Sequence, residues 1–485
     1  MRSVLKPTLM LMAGRCVAFA ATFLIPVILV RTFDQASFGT YKQVFLIYST
    51  LFVIAQFGMA ESLYYFLPGN PKNGGRLTLN ALLILGAVGI LSAASLTAGA
   101  SVIAGWLGNP AVAAFLPALG VYLALTLVGV SLEITMVAQK RFLLAACSFA
   151  ISEGIRAVMF VLPAVLTGKL RWLLIGAVIF GIGRVVATGA FLKKEYLGKL
   201  KLDASLMRSQ IAYVLPFELA ILIDTLQVNF HQYAVSYHFD AATFAIYSIG
   251  CLQIPASEFL AGPASNVMMV RMSEELRDNQ PQNAFAVWDD TVRKLIFLLI
   301  PLTGLLVVSG RDLIVLLFTN AYLASIPIFS LWALATAFQA VPTDAALRVY
   351  ADTRVILVLN IVRFLFVVST IGFALNRFGL IGPVLVTVAA GVLAKGVALV
   401  RIAKLLKVRF LHVVDWKLAG FVSASTVVSG ISSTLVRGRF QTTPFAGLVI
   451  SGLSFTVCCS ALLLAWWLWK MRVIKPCVEL PESSV

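Results

Sequence analysis

Two ionisable residues stand inside an apolar run between positions 142 and 167, where charges are rare. Glu153 and Arg156 lie three positions apart, so on a helix their side chains share a face and can form an ion pair. Against a water-filled cavity, the guanidinium of Arg156 would bind an anion. Alternatively, the two charges neutralise each other and hold two helices together. The sequence leaves both interpretations open.

A second group of polar residues lies within the apolar run between positions 208 and 236. Asp224, Gln227 and His231 fall within a stripe about 60° wide when successive residues turn by roughly 100°. An otherwise apolar helix is expected to turn such a stripe towards a water-filled pathway. Asp224 is therefore a candidate proton or cation site, with His231 as a titrating neighbour. The alternative is a hydrogen-bond network between helices.

Further ionisable residues are scattered through the other apolar runs. Glu61 and Glu258 are candidate ion-coupling carboxylates, and the predicted second helix places Glu61 on one face with Gln43, Thr50 and Tyr65. Four more cations lie inside apolar runs, namely Arg15, Arg184, Arg363 and Lys395. For Arg15 and Lys395 the alternative is snorkelling to an interface. Because guanidinium groups bind phosphate oxygens bidentately, these cations favour an anionic solute.

The composition identifies the surroundings of these charges. The chain has 485 residues, of which 60% are hydrophobic and 12% charged, and its mean hydropathy is +0.95. Soluble domains carry about twice that share of charged residues, and apolar runs of about 20 residues can cross a bilayer. The sequence therefore predicts an all-α polytopic membrane protein. Its net charge of +17 comes mostly from short loops, which favours contact with anionic lipid and not with nucleic acid.

The hydropathy pattern predicts about 14 transmembrane spans. Their approximate limits are 9–31, 41–67, 78–104, 111–138, 142–167, 171–192, 208–236, 242–270, 291–309, 322–349, 354–375, 380–403, 415–436 and 444–470. Successive loops lie on opposite sides of the membrane, and Lys and Arg are about three times as frequent on one side as on the other. The side richer in Lys and Arg is expected to be the cytoplasm, which places both termini there. The polar segment 274–290 is predicted to be a surface helix on the cytoplasmic side. No loop is long enough to hold a catalytic domain.

A short polar turn occurs twice between apolar runs. Phe33–Tyr41 recurs as Phe239–Tyr247, with Phe, Asp, Ala, Ser or Thr, Phe and Tyr at the same offsets. The loop charges place both copies on the outer face, which indicates a parallel internal repeat. Asp34 and Asp240 are predicted to cap the helices that follow.

The repeat predicts four regions: an N-terminal lobe of six spans at 1–192, a basic cytoplasmic linker at 193–208, a second six-span lobe at 209–410, and two further spans with a cytoplasmic tail at 411–485.

Several kinds of chemistry have no matching pattern in the sequence. The Gly-rich turn Gly69–Arg76 lacks the ending of a P-loop, so direct ATP hydrolysis is not expected. The six cysteines have no metal-like spacing with histidine. We therefore expect no cofactor, no metal and no catalytic residue.

The opening of the chain resembles a known family. Val27–Tyr41, followed by an apolar run and Gln56–Leu63, is similar to the opening of the Wzx-type polysaccharide (O-antigen) flippases. These belong to the multidrug/oligosaccharidyl-lipid/polysaccharide (MOP) exporter superfamily. Tyr213–Pro216 and the second copy of the turn extend the resemblance into the second half. The chain departs from the family at His231–Gln232, where members often carry an acidic-basic pair, and it lacks the arginine cluster of the lipid II flippase branch.

The resemblance implies a two-lobed bundle whose central cavity opens alternately to each side of the cytoplasmic (inner) membrane. Its cargo would be a polyprenyl-pyrophosphate-linked oligosaccharide moved from the inner to the outer leaflet. Membrane lipid, H⁺ or Na⁺, a polysaccharide polymerase and glycosyltransferases are the further partners expected. The residues assigned to pyrophosphate and sugar are Arg156, Arg15, Arg184, Arg363 and Glu153, and those assigned to ion coupling are Asp224, His231, Glu61 and Glu258.

Two other functions stay open at this point. One is a cation-coupled multidrug exporter of the same superfamily, which would depend on carboxylates alone. The other is a membrane-embedded polysaccharide polymerase or ligase. This enzyme would need a sizeable outer loop with catalytic Arg or His, which the sequence does not contain.

Overall fold

The structure is a computed structural model that describes residues 5–252, 254–440 and 442–474. Over these residues it contains helices and turns and no strand. Its α-helices are α1 (Leu5–Thr32), α2 (Gln35–Gln56), α3 (Met59–Gly69), α4 (Gly74–Ala98), α5 (Ala100–Trp106), α6 (Leu116–Gly129), α7 (Ser131–Ala138), α8 (Phe142–Thr167), α9 (Leu170–Glu195), α10 (Ala204–His238), α11 (Ala241–Gly250), α12 (Pro255–Arg277), α13 (Pro281–Phe318), α14 (Ile326–Phe338), α15 (Thr343–Val349), α16 (Thr353–Phe378), α17 (Gly382–Leu405), α18 (Trp416–Gly438) and α19 (Pro444–Ile474).

Within the described residues, ten helical segments are long and apolar enough to cross a membrane. Shorter apolar stretches lie at Ala18–Thr32 in α1 and at Ala241–Gly250, which is α11. A helix satisfies every backbone N–H and C=O within one segment, as the bilayer interior requires. The molecule is therefore an all-helical, multi-pass membrane protein. The total of 14 spans stays a prediction.

Several of the predicted spans are interrupted in the structure, among them 41–67 and 322–349. Phe57 and Gly58 separate α2 from α3, and both have a left-handed backbone, with φ of 47° and 55°. A second break ends at Pro342 and separates α14 from α15. Non-helical backbone at membrane depth is tolerated where it is buried in protein or lines a cavity. Both breaks are therefore expected to be buried in protein or to line a cavity.

The polar segment 274–290 does not form the separate surface helix that the sequence predicted. It instead forms the adjoining ends of two long helices, α12 and α13, which meet at a turn with Asn279 at φ 58°. α13 then continues over 38 residues into the apolar run. The prediction was wrong because no helix-stopping residue separates the polar and apolar parts of α13.

Tertiary contacts divide the chain into two compact units, residues 1–248 and 249–485. In the first unit α1 packs along α8, α4 packs along α6, and α10 contacts α2, α3 and α4. In the second unit α13 contacts α12, α14, α18 and α19, and α16 packs along α17. The core of the second unit contains Trp288, whose indole N–H donates to the carbonyl of Val413 at 2.8 Å. The predicted lobe boundaries stay predictions.

Both copies of the repeated turn begin a helix in the first unit. Oδ1 of Asp34 accepts a hydrogen bond from the amide of Ser37 at 3.2 Å. Oδ1 of Asp240 accepts one from the amide of Thr243 at 2.8 Å. Each carboxylate thereby satisfies an amide that the first helical turn leaves without a partner. The predicted helix-capping role of both aspartates is confirmed.

The two copies of the turn also lie against each other. A Cβ added at Gly39 would overlap the backbone carbonyl of Ala241, so α2 and α11 approach each other closely at this point. The equivalent phenylalanines of the two copies, Phe38 and Phe244, are both fully buried. The repeat therefore forms a packed contact within the first unit.

Candidate functional site

The predicted charged pair on α8 lies in contact with α1. Glu153 and Arg156 form an ion pair, and their side chains are 16% and 19% exposed. Nη2 of Arg156 donates to Oγ1 of Thr22 at 2.7 Å, and this hydroxyl donates to Oε2 of Glu153 at 3.0 Å. Thr22 was not singled out from the sequence, because a lone threonine in an apolar helix carries no signal. The three side chains close a polar triangle between two apolar helices.

Aromatic side chains surround the guanidinium of Arg156. Its Cζ lies 5.9 Å from the ring centre of Phe160, within the range of a cation–π contact. Tyr48 and Tyr122 stack with ring centres 4.9 Å apart, close enough to interact with the charge of Arg156. Nε of Arg156 is buried and has no hydrogen-bond partner. Because an unpaired buried donor is unfavourable, this guanidinium can still gain from another acceptor.

Arg184 on α9 is held differently, by a glutamate that the sequence did not identify as its partner. Its guanidinium donates to both carboxylate oxygens of Glu133 on α7, at 2.7 and 2.6 Å, and to the carbonyl of Gly129 at 2.8 Å. Ser148 donates to the same carboxylate at 2.7 Å. A bidentate pair of this kind fixes both side chains. The geometry favours a role for Arg184 in holding α7, α8 and α9 together.

Two cations of the second unit meet at one cavity. Arg363 and Lys395 line a space of about 160 Å³ together with Asp344 and Asn360. Nζ of Lys395 donates to the carbonyl of Val341 at 2.8 Å, in the break between α14 and α15. The sequence does not connect the two cations. They meet because α16 packs along α17.

The predicted polar stripe on α10 is divided between buried and exposed positions. Gln227 and His231 are each 1% exposed, whereas Asp224 is exposed. Nδ1 of His231 lies 2.7 Å from the hydroxyl of Tyr247 on α11. Both polar atoms of the Gln227 amide are buried without a hydrogen-bond partner. Asp224 is thus the exposed member of this stripe.

Glu61 on α3 lies near a second carboxylate, Glu218 on α10, close enough for their charges to interact. Glu218 is 6% exposed, and a Cβ added at Gly58 would lie 2.6 Å from its Oε1. The carboxylate therefore packs against the break between α2 and α3. Two neighbouring carboxylates disfavour each other's charge, so such a pair favours a bound proton or cation.

The face that the sequence predicted for the second span is not continuous. The break at Phe57 and Gly58 separates Gln43 and Thr50 on α2 from Glu61 and Tyr65 on α3. The α2 pair is buried and the α3 pair is exposed. The prediction was wrong because it extended one helical phase through two left-handed residues.

Gln43 and Thr50 instead take part in hydrogen bonds with α10. Nε2 of Gln43 donates to Oγ of Ser236 at 2.8 Å, and its Oε1 accepts from Asn109 at 2.6 Å. Oγ1 of Thr50 accepts from the hydroxyl of Tyr233 at 2.9 Å. These bonds join segments up to 193 positions apart, which is why sequence spacing could not reveal them.

Two of the predicted site residues, Arg15 and Glu258, have side chains outside the described part of the chain. Their roles stay predictions. Among the residues that the structure describes, no group of three or more His, Cys, Asp or Glu side chains could hold a metal ion.

Comparison with solved structures identifies the fold. The lipid II flippase MurJ in an inward closed conformation matches with a TM-score of 0.69 at 14% identity, over 94% of this chain and 100% of that one. An inward-facing multidrug resistance MATE family transporter of the MOP superfamily matches with a TM-score of 0.58 at 12% identity, over 80% and 95%. A MOP superfamily transporter from Pyrococcus furiosus matches with a TM-score of 0.56 at 11% identity, over 83% and 95%. The chain therefore has the fold of these transporters.

Comparison of the sequence identifies the family. No curated protein matches the chain. The family model described as polysaccharide biosynthesis protein matches residues 4–257, which is slightly more than half of the chain. This match confirms the membership that the residues around the first copy of the turn predicted. The chain belongs to the polysaccharide biosynthesis protein family, with the fold of the MOP superfamily.

Proposed function

We propose that this protein is a flippase for a polyprenyl-pyrophosphate-linked oligosaccharide, a precursor of a surface polysaccharide such as lipopolysaccharide or exopolysaccharide. It moves this lipid from the inner to the outer leaflet of the cytoplasmic membrane by alternating access. Family membership supports a polysaccharide precursor as cargo. The structural likeness to a lipid II flippase supports a lipid-linked one.

The observation that carries the proposal is the position of Arg156. It lies 14 positions after Phe142 and 11 before Thr167, the ends of α8, or about 21 and 17 Å along the helix. A guanidinium at that depth is costly, by about 2.5–3.5 kcal/mol on insertion scales, and is expected to serve a function. Its buried, unpaired Nε offers a donor that a phosphate oxygen can accept from. We assign Arg156 as the first ligand of the pyrophosphate.

The other predicted ligands take different parts in this proposal. Glu153 balances the charge of Arg156 before the cargo arrives. Arg15 and Arg363 are further candidates for phosphate contacts, and the sugars occupy the water-filled path. Arg184 has a weaker claim, because Glu133 and Gly129 already accept hydrogen bonds from both of its terminal nitrogens.

Transport against a gradient needs a coupling step, for which the carboxylates are candidates. Asp224 is exposed on α10, with His231 two turns further along the helix. Glu61 lies near Glu218 beside the interrupted helix, and Glu258 completes the predicted set. We propose that H⁺ or Na⁺ binds to one of these carboxylates. The membrane potential adds about 2.3 kcal/mol per charge and 100 mV when negative charge moves outward.

The proposed topology places both termini in the cytoplasm, with lobes at 1–192 and 209–410. The lipid tail stays in the bilayer while the head group crosses. Glycosyltransferases would supply the cargo at the inner face, and a polysaccharide polymerase would consume it at the outer face. These partners follow from the chemistry of the cargo, which is assembled on one side and polymerised on the other.

The test is a polysaccharide export assay in a strain whose own flippase gene is deleted. Arg156→Gln is expected to reduce export at least tenfold at normal protein level, because a charge-assisted contact to phosphate is lost. Arg171→Gln, an exposed arginine at the start of α9, is the matched control and should export normally. Normal export by Arg156→Gln would remove Arg156 from the mechanism.

The alternative function is a cation-coupled multidrug exporter, which the likeness to a multidrug resistance transporter favours. Under this alternative, expression lowers drug susceptibility, and Asp224→Asn abolishes the effect while Arg156→Gln does not. Polysaccharide export then stays independent of the protein. The two functions therefore differ in the effect that they predict for Arg156→Gln.

A further inference from the structure

A cleft in the second unit lies where α13, α18 and α19 come together at one end. Its volume is about 1040 Å³, comparable with that of the largest small-molecule sites in proteins. Val308, Arg311, Asp312 and Val315 form one wall, because spacings of three and four place them on one face of α13. The end of α18 and the start of α19 form the other wall. The cleft therefore joins three helices of the second unit.

Most of the charge in the lining of this cleft is already compensated. Nε and Nη2 of Arg437 on α18 donate to the two carboxylate oxygens of Asp312, at 2.8 and 3.0 Å. Nη1 of Arg437 donates to the carbonyl of Phe440 at 2.6 Å. A Cβ added at Gly447 on α19 would lie 2.5 Å from Nε of Arg437 and 2.6 Å from Oδ2 of Asp312, so α19 packs directly against the pair. Asp312 and Arg437 thus neutralise each other and hold the three helices together.

Arg311 carries the remaining charge of the lining. It is exposed, and it has no hydrogen bond or ion pair with any residue that the structure describes. Two cations and one carboxylate line the cleft, which leaves a net charge of +1. Asn320 and Thr442 add an exposed amide and an exposed hydroxyl to the lining. A cationic lining with donors to spare favours a singly charged anion.

The polar lining lies at the predicted level of the lipid headgroups. Two of the predicted spans end at 309 and 436, and the last begins at 444. Arg311, Arg437 and Thr442 therefore lie just beyond the hydrocarbon core. The loop charges predict that this end of the helices is on the outer face, where Lys and Arg are about three times rarer than on the other side. A cation at this depth can contact a lipid phosphate directly.

A second, apolar cleft continues from the first one into the membrane. Val308 and Thr434 line both clefts. The apolar cleft has a volume of about 590 Å³, and aliphatic side chains of α13, α14 and α18 form most of its lining. Along α13 this lining runs from Val308 back to Ile296, or about 18 Å, which is more than half of a hydrocarbon core about 30 Å thick. The two clefts together provide a polar site at the interface and an apolar path for a chain beneath it.

We propose that these two clefts bind one anionic phospholipid of the outer leaflet. The guanidinium of Arg311 binds the phosphodiester, Asn320 and Thr442 contact the headgroup, and an acyl chain follows the apolar cleft. The single negative charge of a phosphodiester matches the net charge of the lining, whereas a diphosphate carries at least two negative charges. The site is independent of the proposed function, because it needs neither a carried lipid nor transport.

The test measures phospholipid binding to the purified full-length protein in detergent by native mass spectrometry. Dioleoyl phosphatidylglycerol and dioleoyl phosphatidylcholine have the same chains and differ in net charge. Wild-type protein should bind its tightest phosphatidylglycerol more strongly than phosphatidylcholine. Arg311→Gln should weaken this phosphatidylglycerol binding about tenfold, because a charge-assisted contact to phosphate is lost. Phosphatidylcholine binding should stay unchanged.

The matched control is Arg377→Gln, which removes an exposed arginine at the end of α16 on the same predicted face. It should bind both lipids like wild type. Equal affinity of the wild-type protein for the two lipids would overturn the proposal. The same holds if Arg311→Gln keeps its affinity for phosphatidylglycerol, or if Arg377→Gln loses as much affinity as Arg311→Gln.

Gly438 allows the charge of the cleft to be changed while Arg311 is kept. It lines the cleft at the end of α18, and a Cβ added there would meet no atom of the described residues within 4 Å. Gly438→Asp should weaken phosphatidylglycerol binding several-fold, and Gly438→Lys should tighten it, because the two changes shift the net charge in opposite directions. A change of the same sign in both variants would show that charge does not select the lipid and would overturn the proposal. These variants decide the question even where Arg311→Gln fails to fold.

A competition experiment separates a resident phospholipid from a diphosphate lipid. Farnesyl diphosphate is added to wild-type protein loaded with phosphatidylglycerol, and the lipid that stays bound is identified by its mass. Retention of phosphatidylglycerol at an equimolar amount of farnesyl diphosphate supports the proposal. Displacement by an equimolar amount would assign the clefts to a diphosphate lipid and overturn the phospholipid as occupant.

Discussion

The Glu133–Arg184 pair of the first unit and the Arg363–Lys395 cavity of the second unit hold similar guanidinium groups in different surroundings. Arg184 donates to both oxygens of one carboxylate and to a carbonyl. Arg363 lines a cavity of about 160 Å³ together with Lys395 and Asp344. The Glu153–Arg156 pair is intermediate, since its charges balance but Nε of Arg156 has no partner.

The comparison concerns how the protein compensates a cation inside a membrane-spanning helix. A membrane-buried cation must be compensated, either by an acid of the protein or by an anion that arrives from outside. The first solution gives stability and the second gives binding. Residue type alone does not distinguish them, because an arginine in an apolar run looks the same in both cases.

The largest expected effect comes from breaking the balanced pair. Arg184→Gln leaves the carboxylate of Glu133 buried and without its bidentate partner, which is expected to cost about 3–5 kcal/mol. The loss should appear as a strongly lowered melting temperature of the purified protein and as a low amount in the membrane. The double variant Glu133→Gln with Arg184→Gln should recover part of it, because neither charge is then left alone.

Arg171→Gln on the same helix is the control for this prediction and should melt like wild type. A stable Arg184→Gln protein that nevertheless loses export would contradict the comparison. It would move Arg184 from the structural group to the ligand-binding group.

A smaller effect is expected from removing the acid of the α8 pair. Glu153→Gln removes the carboxylate that balances Arg156 and leaves a positive excess, so farnesyl diphosphate should bind several-fold more tightly. The pair is mostly buried, so the same change should also lower stability, by about 1–2 kcal/mol. Binding and melting temperature are measured on the same sample. The matched control is Glu195→Gln, which breaks the half-exposed pair with Arg141. Weaker binding of farnesyl diphosphate by Glu153→Gln would argue against an anion at Arg156.

The smallest effect concerns the helix caps, which have no part in ligand binding and so provide a baseline. Asp34→Ala and Asp240→Ala should each cost about 1 kcal/mol of stability and leave farnesyl diphosphate affinity unchanged.

Hydrogen bonds from the side chain and the backbone amide of Thr243 lower the pKa of Asp240. Its stabilisation is therefore complete above the unfolded pKa of about 3.9 and is lost as the pH falls through the lower folded pKa. Melting curves from pH 7 to pH 3 check this, and a difference between wild type and Asp240→Ala that grows on acidification would contradict the sign.

Local spacing was a reliable guide where an interaction spans one helical turn. Asp34 and Asp240 cap their helices because a carboxylate reaches the amide three positions on in any chain with that geometry. Glu153 and Arg156 pair for the same reason. Local spacing failed at Phe57 and Gly58, where two left-handed residues reset the helical phase.

The sequence by itself determined that the protein is a helical membrane protein of the polysaccharide biosynthesis family, that a turn is repeated, and which charges lie within apolar runs. These properties depend on hydropathy and on contacts between near neighbours. Only the tertiary structure decided what each charge meets. Arg184 reaches Glu133 across 51 positions, and Arg363 meets Lys395 because two separate helices pack in one register. Hydropathy records the cost of burying a charge, but the partner that offsets this cost comes from another helix, and helix packing depends on all of the surrounding side chains.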